Sequence, residues 1–319
     1  MFLNLIYVVV GLVVLVAGGE LLVRGAASMA RSFGVSALVV GLTIVAGGTS
    51  APELVVSVMA ASRGNAAICA GNVVGSNIFN VLLIIGVSSM IKPMTIHASI
   101  VRREAPIMLG ITMLLAVLGF TGQVGRLGAG CLLVVFVAYN VFAVWMARRE
   151  TAILEPEYAA LSEVIVVRST GMNVLFVLAG LLGLAGGSEL FLRGAIEIAR
   201  SFGISELIIG LTLVAVGTSL PELVTSVVAA LRGQSDIAIG NVIGSNVFNI
   251  SGILGVSGMI QPIPLDSELL WIHLPIMVGT SALLWLLIAT RSTLSRREGV
   301  LLFAGFLGYL GWLMFRPAA

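Results

Sequence analysis

Glu53 and Glu222 each stand in an apolar run with hydroxyl residues spaced around them. Residues three and four apart share one face of a helix, so Thr49, Ser50, Glu53 and Ser57 line a single stripe, with Ala46 one turn earlier. Thr218, Ser219, Glu222 and Ser226 repeat that stripe further along the chain. Ser76 with Asn80, and Ser245 with Asn249, are spaced i, i+4 and form two more polar faces. Every side-chain ligand on these faces offers oxygen, and none offers imidazole or thiolate. Such a donor set argues against zinc or copper and for a hard cation such as Ca²⁺ or Na⁺.

The elements that hold these residues must cross a membrane. The 319 residues are 59% hydrophobic and 10% charged, with a mean hydropathy of +1.13, which is too little polar surface for a soluble globule. Apolar runs of about 17 to 25 residues mark spanning helices, because backbone polar groups in lipid have to be satisfied within the segment. Ten such runs lie at 2–18, 38–62, 66–90, 105–121, 125–146, 171–187, 206–231, 236–260, 271–289 and 299–315. The first run has no Lys or Arg ahead of it and a counterpart at 171–187, so it reads as a permanent helix rather than a signal peptide. With the N-terminus outside, twelve of the 17 basic residues fall on the cytoplasmic side, and Arg63, Arg126, Arg193, Arg200 and Arg316 fall outside. That bias predicts a protein of the cell (inner) membrane with both termini outside. Cys69 and Cys131 both lie in apolar runs and read as small buried hydrophobes, not as a disulfide or metal pair.

The chain is a duplication. The stretch 41–80 returns as 210–249, with 222 − 53 and 249 − 80 both equal to 169. Residues 18–36 align without a gap on 187–205, and the match continues to Met90-Ile91 and Met259-Ile260 with more than half of the positions identical. Each half, 1–146 and 171–319, holds five of the expected helices, joined by a polar cytoplasmic linker at 147–170. A separate soluble domain needs about 50 residues or more, so the linker has no room for one. An odd number of spans per half forces the second copy to enter the membrane upside down, which brings the two polar stripes face to face. The expected fold class is therefore all-α: a polytopic membrane protein of ten transmembrane helices in two inverted-topology repeats of five.

Pro52 and Pro221 each remove a backbone donor inside a run, which frees the carbonyls of Gly48 and Gly217 and bends the chain, with Gly47-Gly48 loosening it further. Ionised glutamates at mid-membrane are costly and need compensation, and no Lys or Arg lies at their level. A divalent cation between Glu53 and Glu222 supplies it. Their joint charge suits two Na⁺ as well as one Ca²⁺, so competition for shared carboxylates is a physical route to exchange. Blander roles suit other residues. Gly71-x-x-x-Gly75 and Gly240-x-x-x-Gly244 read as close helix packing, Asn77 and Asn246 as braces between helices, and Glu20 with Arg24, like Glu189 with Arg193, as interfacial pairs. Ser57 and Ser226 fit either the site or a hydrogen bond to their own helix. His97 and His273 occupy non-equivalent positions near helix starts.

At these residues the sequence resembles the cation/calcium antiporter superfamily, and within it the prokaryotic sodium/calcium exchangers. The resemblance rests on Gly48-Thr49-Ser50-Ala51-Pro52-Glu53 with Gly75-Ser76-Asn77-Ile78-Phe79-Asn80, and on Gly217-Thr218-Ser219-Leu220-Pro221-Glu222 with Gly244-Ser245-Asn246-Val247-Phe248-Asn249. It implies a central group of cation sites with Glu53 and Glu222 as acidic ligands and Thr49, Thr218, Ser50, Ser219, Ser76, Ser245 and Asn80 as further ligands. Ala46 and Ala215 would contribute backbone carbonyls. Some members, including potassium-dependent ones, carry Asp where this chain has Asn249, and the neutral amide there speaks against K⁺ co-transport. The implied activity is Ca²⁺ exchange against Na⁺ by alternating access, with the first and sixth helices, broken at Gly18-Gly19 and Gly186-Gly187 and loosely packed, sliding past the other eight. A Ca²⁺/H⁺ antiporter of the same superfamily and a passive cation channel are the alternatives. No intramembrane His, Lys or Asp pair accompanies Ser50 or Ser219, which argues against an intramembrane hydrolase. The expected partners are Ca²⁺, Na⁺ and the lipid bilayer, with no cofactor, nucleic acid or obligate protein partner.

Overall fold

The computed structural model describes residues 2–158, 169–203 and 215–315. It is nearly all-helical. Two long helices, α1 (Phe2–Ser32) and α7 (Thr170–Ser201), lie antiparallel against each other. Between them come α2 (Ala37–Thr49), α3 (Ala51–Ser62), α4 (Ala67–Ile91), α5 (Ala105–Gly119) and α6 (Arg126–Tyr158). After them come α8 (Ala215–Thr218), α9 (Leu220–Leu231), α10 (Ser235–Ile260), α11 (Leu269–Arg291) and α12 (Arg296–Phe315). Among the described residues seven helices are long and apolar enough to span a membrane, or eight when α2 and α3, bent by 46°, count as one span. The expected run 105–121 appears as the 15-residue α5, and the run 206–231 lies partly outside the described residues, as does the linker 147–170. The backbone of α6 continues as helix to Tyr158, beyond the expected end of its span.

α1 and α7 correct one expectation. Gly18-Gly19 and Gly186-Gly187 break nothing: both helices run on through them, carrying Glu20, Arg24 and Glu189 inside the helix. Nor is the pair loosely packed. A Cβ on Gly18 would lie 2.7 Å from the Leu184 nitrogen, and one on Gly187 2.7 Å from the Leu15 nitrogen. Glycine is present because the two backbones touch, as small residues permit between helices in lipid.

The centre of the molecule belongs to α4 and α10, with 72% and 94% of their most apolar windows buried, whereas only 17% is buried in the outer helix α12. The halves interlock: α10 packs on α2 and α6, and α12 packs on α4. Two short ribbons, absent from an all-helical expectation, also join the halves. β1 (Met94–Thr95) pairs antiparallel with β4 (Thr293–Leu294), and β2 (Gln123–Val124) with β3 (Ile263–Pro264). They give loop backbone at helix ends its hydrogen-bond partners. Single π turns interrupt the central helices at Asn80–Ile85 and Phe248–Ile253. Such turns re-aim side chains and often mark functional positions.

Candidate cation site

The site starts from the break between α2 and α3. Pro52 cannot donate to the preceding turn, and Ser50 leaves the helix with φ −81° and ψ 8° before α3 begins. Ser219, ahead of Pro221, does the same with φ −92° and ψ 8°. Each serine heads a Ser-x-x-Glu pattern, yet neither hydroxyl caps its own helix. Ser50 Oγ instead donates to Glu222 Oε1 at 2.8 Å, and Ser219 Oγ to Glu53 Oε1 at 3.2 Å. Both glutamates sit in the first turn of their helices, α3 and α9, where the unpaired N–H groups favour negative charge. Both side chains are buried, with 1% exposure each.

A second tier of hydrogen bonds surrounds this exchange of partners. Asn72 Nδ2 donates to the Glu53 carbonyl at 3.3 Å and to Ser57 Oγ at 2.9 Å, and Asn241 Nδ2 donates to the Glu222 carbonyl at 3.3 Å and to Ser226 Oγ at 3.0 Å. Thr49 Oγ1 lies 3.1 Å from Asn241 Oδ1 and 3.3 Å from the Ala46 carbonyl, either of which can take its single proton. Ser57 and Ser226 therefore face asparagines on the neighbouring helices; Ser226 also donates to the Ala238 carbonyl. Asn72 and Asn241 went unassigned in the sequence, although Asn72, Ser76 and Asn80 share one stripe by i, i+4 spacing, a signal that would have found them.

The π turns supply the third tier. Asn80 Nδ2 donates to Asn246 Oδ1 at 2.9 Å and Asn249 Nδ2 to Asn77 Oδ1 at 3.1 Å, which turns both amide oxygens, Asn80 Oδ1 and Asn249 Oδ1, away from those bonds. Asn77 and Asn246 in turn reach Met277 Sδ at 3.7 Å and Met108 Sδ at 3.5 Å. The turn holding Asn80 packs on α9 and the turn holding Asn249 packs on α3, so each amide is brought toward the glutamate of the other half. Ser76 and Ser245 are buried one turn before these asparagines. Thr218 is half-buried at the end of α8, and Ala215 starts that helix one turn earlier. One freed carbonyl already has a partner: Ser188 Oγ on α7 donates to the Gly217 carbonyl at 2.8 Å.

Five buried oxygens of this group find no hydrogen-bond partner among the described residues: Glu53 Oε2, Glu222 Oε2, Asn80 Oδ1, Asn249 Oδ1 and Ser245 Oγ. A buried oxygen without a donor costs about 1–3 kcal/mol, more when charged, and calls for an explanation. A hard cation bound among carboxylate, amide and hydroxyl oxygens is one that fits their chemistry. Among the described residues no cluster of three or more His, Cys, Asp or Glu could hold a metal ion, so any cation here relies on neutral oxygens beside the two carboxylates. One more buried carboxylate lies apart from this network. Glu104 pairs with Arg103 at 2.6 Å and accepts from the Tyr139 hydroxyl at 3.0 Å.

The sodium/calcium exchanger protein family model matches residues 3–145 and again 172–315. The chain is 38% identical to the putative antiporter CaxA of Alkalimonas amylolytica over 97% of its length and 98% of the relative's. It is 34% identical to the sodium/calcium exchanger MaX1 of Methanosarcina acetivorans over 96% of its length and 97% of the relative's. A solved structure of the sodium-calcium exchanger NCX_Mj, soaked with 2.5 mM Na⁺ and 0.1 mM Ca²⁺, superposes with a TM-score of 0.85 at 32% identity, covering 99% of this chain and 100% of that one. Likeness of sequence and of fold over nearly the whole length leaves one conclusion: this integral membrane protein belongs to the sodium/calcium exchanger family.

Proposed function

We propose that the chain exchanges Ca²⁺ for Na⁺ across the membrane by alternating access, at a site shared by Glu53 and Glu222 with the oxygens of Thr49, Ser50, Ser76, Asn80, the Ala46 carbonyl and their counterparts 169 residues later. The observation that carries this reading is the five donorless oxygens around two buried carboxylates whose other oxygens are held by serines of the opposite half. Without a cation the two carboxylates repel each other in a medium of low dielectric; one Ca²⁺ or two Na⁺ neutralise them, and each ion excludes the other.

The architecture that goes with this activity is ten spans in two inverted repeats, 1–146 and 171–319, with both termini outside the cell (inner) membrane. It is supported by hydrogen bonds that recur at the repeat offset: Ser50 to Glu222 with Ser219 to Glu53, Asn72 to Ser57 with Asn241 to Ser226, and Asn80 to Asn246 with Asn249 to Asn77. A relative from Escherichia coli K12, 35% identical, is named an inner membrane protein. Because α1 and α7 touch backbone to backbone, they move as one unit against the rest. The test is ⁴⁵Ca²⁺ uptake into proteoliposomes loaded with Na⁺ or with K⁺. Uptake that needs internal Na⁺ supports the proposal; uptake driven only by an imposed pH gradient assigns protons as the counter-ion instead.

A further inference from the structure

The equivalence of the halves makes their differences informative. Arg232, at the end of α9, grips Glu20 of α1 with both ends of its guanidinium, Nη2 at 2.6 Å from Oε1 and Nε at 3.0 Å from Oε2, and Arg24 approaches the same carboxylate at 2.5 Å. The residues equivalent by the repeat offset are Arg63, at the end of α3, and Glu189 of α7. Neither makes an ion pair among the described residues, and both are exposed. The packing differs in the same sense. α1 lies along α9, where a Cβ on Gly19 would meet Val224 at 3.0 Å, whereas α7 and α3 scarcely touch. Val228 is 7% exposed, and its equivalent on α3, Met59, is 45% exposed. A cavity of about 200 Å³, lined by Gly71, Gly75, Asp266, Glu268 and His273, opens beside the start of α4, on the side where Arg63 lies. It reaches the residue next to Ser76.

We propose that Glu20 and Arg232 form a latch that closes one side of the membrane in this conformation, and that Glu189 and Arg63 form the equivalent latch of the opposite conformation. The inference rests on reading the chain as inverted repeats with alternating access. In that scheme the two end states are related by exchanging the roles of the halves, so a contact made once by one half is made in the other state by its equivalent. On the proposed orientation the closed side is the cytoplasm and the open side the exterior. Closing the exterior seats α7 on the exposed Val55 and Met59 of α3 and brings Glu189 to Arg63. Arg232, Arg63 and Glu189 are exposed and Glu20 is half-buried, so each latch sets the balance between states without being part of the core. A surface ion pair biases such an equilibrium by up to about fivefold.

The experiment uses the full chain in proteoliposomes with Cys131→Ser, because Cys131 is exposed and not buried as its apolar run suggests, while Cys69 is buried. It adds two cysteine pairs, Glu20→Cys with Arg232→Cys and Glu189→Cys with Arg63→Cys, treated with a short bifunctional methanethiosulfonate. The proposal expects both pairs to cross-link and each cross-link to arrest transport. It also expects Arg232→Gln, added to the second pair, to speed its cross-linking by about fivefold as the population moves to the opposite state. A second pair that never cross-links in vesicles that exchange Ca²⁺ for Na⁺, or one whose rate ignores Arg232→Gln, overturns the latch and leaves the proposed function standing. Cross-linking of both pairs with the expected response in vesicles that carry some other cation overturns the proposed function and leaves the latch.

Discussion

Gly186 and Gly187 are neighbours on α7, yet alanine should act on them with opposite sign. A methyl group at Gly187 would lie 2.7 Å from the Leu15 nitrogen and 2.9 Å from the Gly11 carbonyl oxygen. Ordinary contact begins near about 3.5 Å, so α1 and α7 would have to part by about 0.8 Å, and a gap of that size forfeits about a quarter to a half of the dispersion well for every neighbouring atom pair. Overpacking of this kind costs about 1–3 kcal/mol. At Gly186 nothing among the described residues lies within 4 Å of the added methyl group. Alanine there removes the conformational freedom of a glycine in mid-helix, which stabilises by about 0.5–1 kcal/mol. The two variants should therefore differ by about 1.5–4 kcal/mol, seen as a difference in melting temperature of the detergent-solubilised protein by intrinsic tryptophan fluorescence. Gly187→Ala should melt below the wild type and Gly186→Ala at or above it. A Gly187→Ala protein as stable as the wild type, or a Gly186→Ala protein less stable than Gly187→Ala, would refute the backbone contact between the two long helices.

Other outcomes follow from single hydrogen bonds. Ser50→Ala and Ser219→Ala each remove one donor to a buried carboxylate, a bond of about 1.5–3 kcal/mol, and should raise the Ca²⁺ concentration for half-maximal uptake by about tenfold or more. The two effects should match, because the bonds are equivalent; an effect of only one serine would contradict the symmetry of the site. Tyr139→Phe strips Glu104 Oε2 of its donor and should cost about 1–3 kcal/mol in stability without moving the half-saturation for Ca²⁺, since the pair lies apart from the Glu53 network. A shifted half-saturation at unchanged melting temperature would reverse that assignment.

The polar stripes were legible in the sequence because carboxylates and hydroxyls in apolar helices have few blander explanations, and because each occurs twice. The same letters misled where one residue type serves two ends. Gly18-Gly19 looked like a break, since glycine loosens a helix, but a glycine that admits a neighbouring backbone reads identically, and only the partner helix tells the two apart. Ser50 and Ser219 stand where helix caps belong, and nothing local reveals that their hydroxyls cross to the other half. Glu104 was missed for the opposite reason: its equivalent is His273, so the duplication that flagged Glu53 gave no second copy to compare. The ribbons at 94–95 and 293–294 are two residues long, too short for any alternation pattern to show.

Calcium binding to the purified protein, followed by titration calorimetry for the wild type, Glu53→Gln and Glu222→Gln with and without Na⁺, tests the shared site most directly. Two carboxylates holding one ion predict that either substitution abolishes Ca²⁺ binding and that Na⁺ displaces Ca²⁺ from the wild type. Retention of near-native Ca²⁺ affinity by either variant would contradict a site built from both halves.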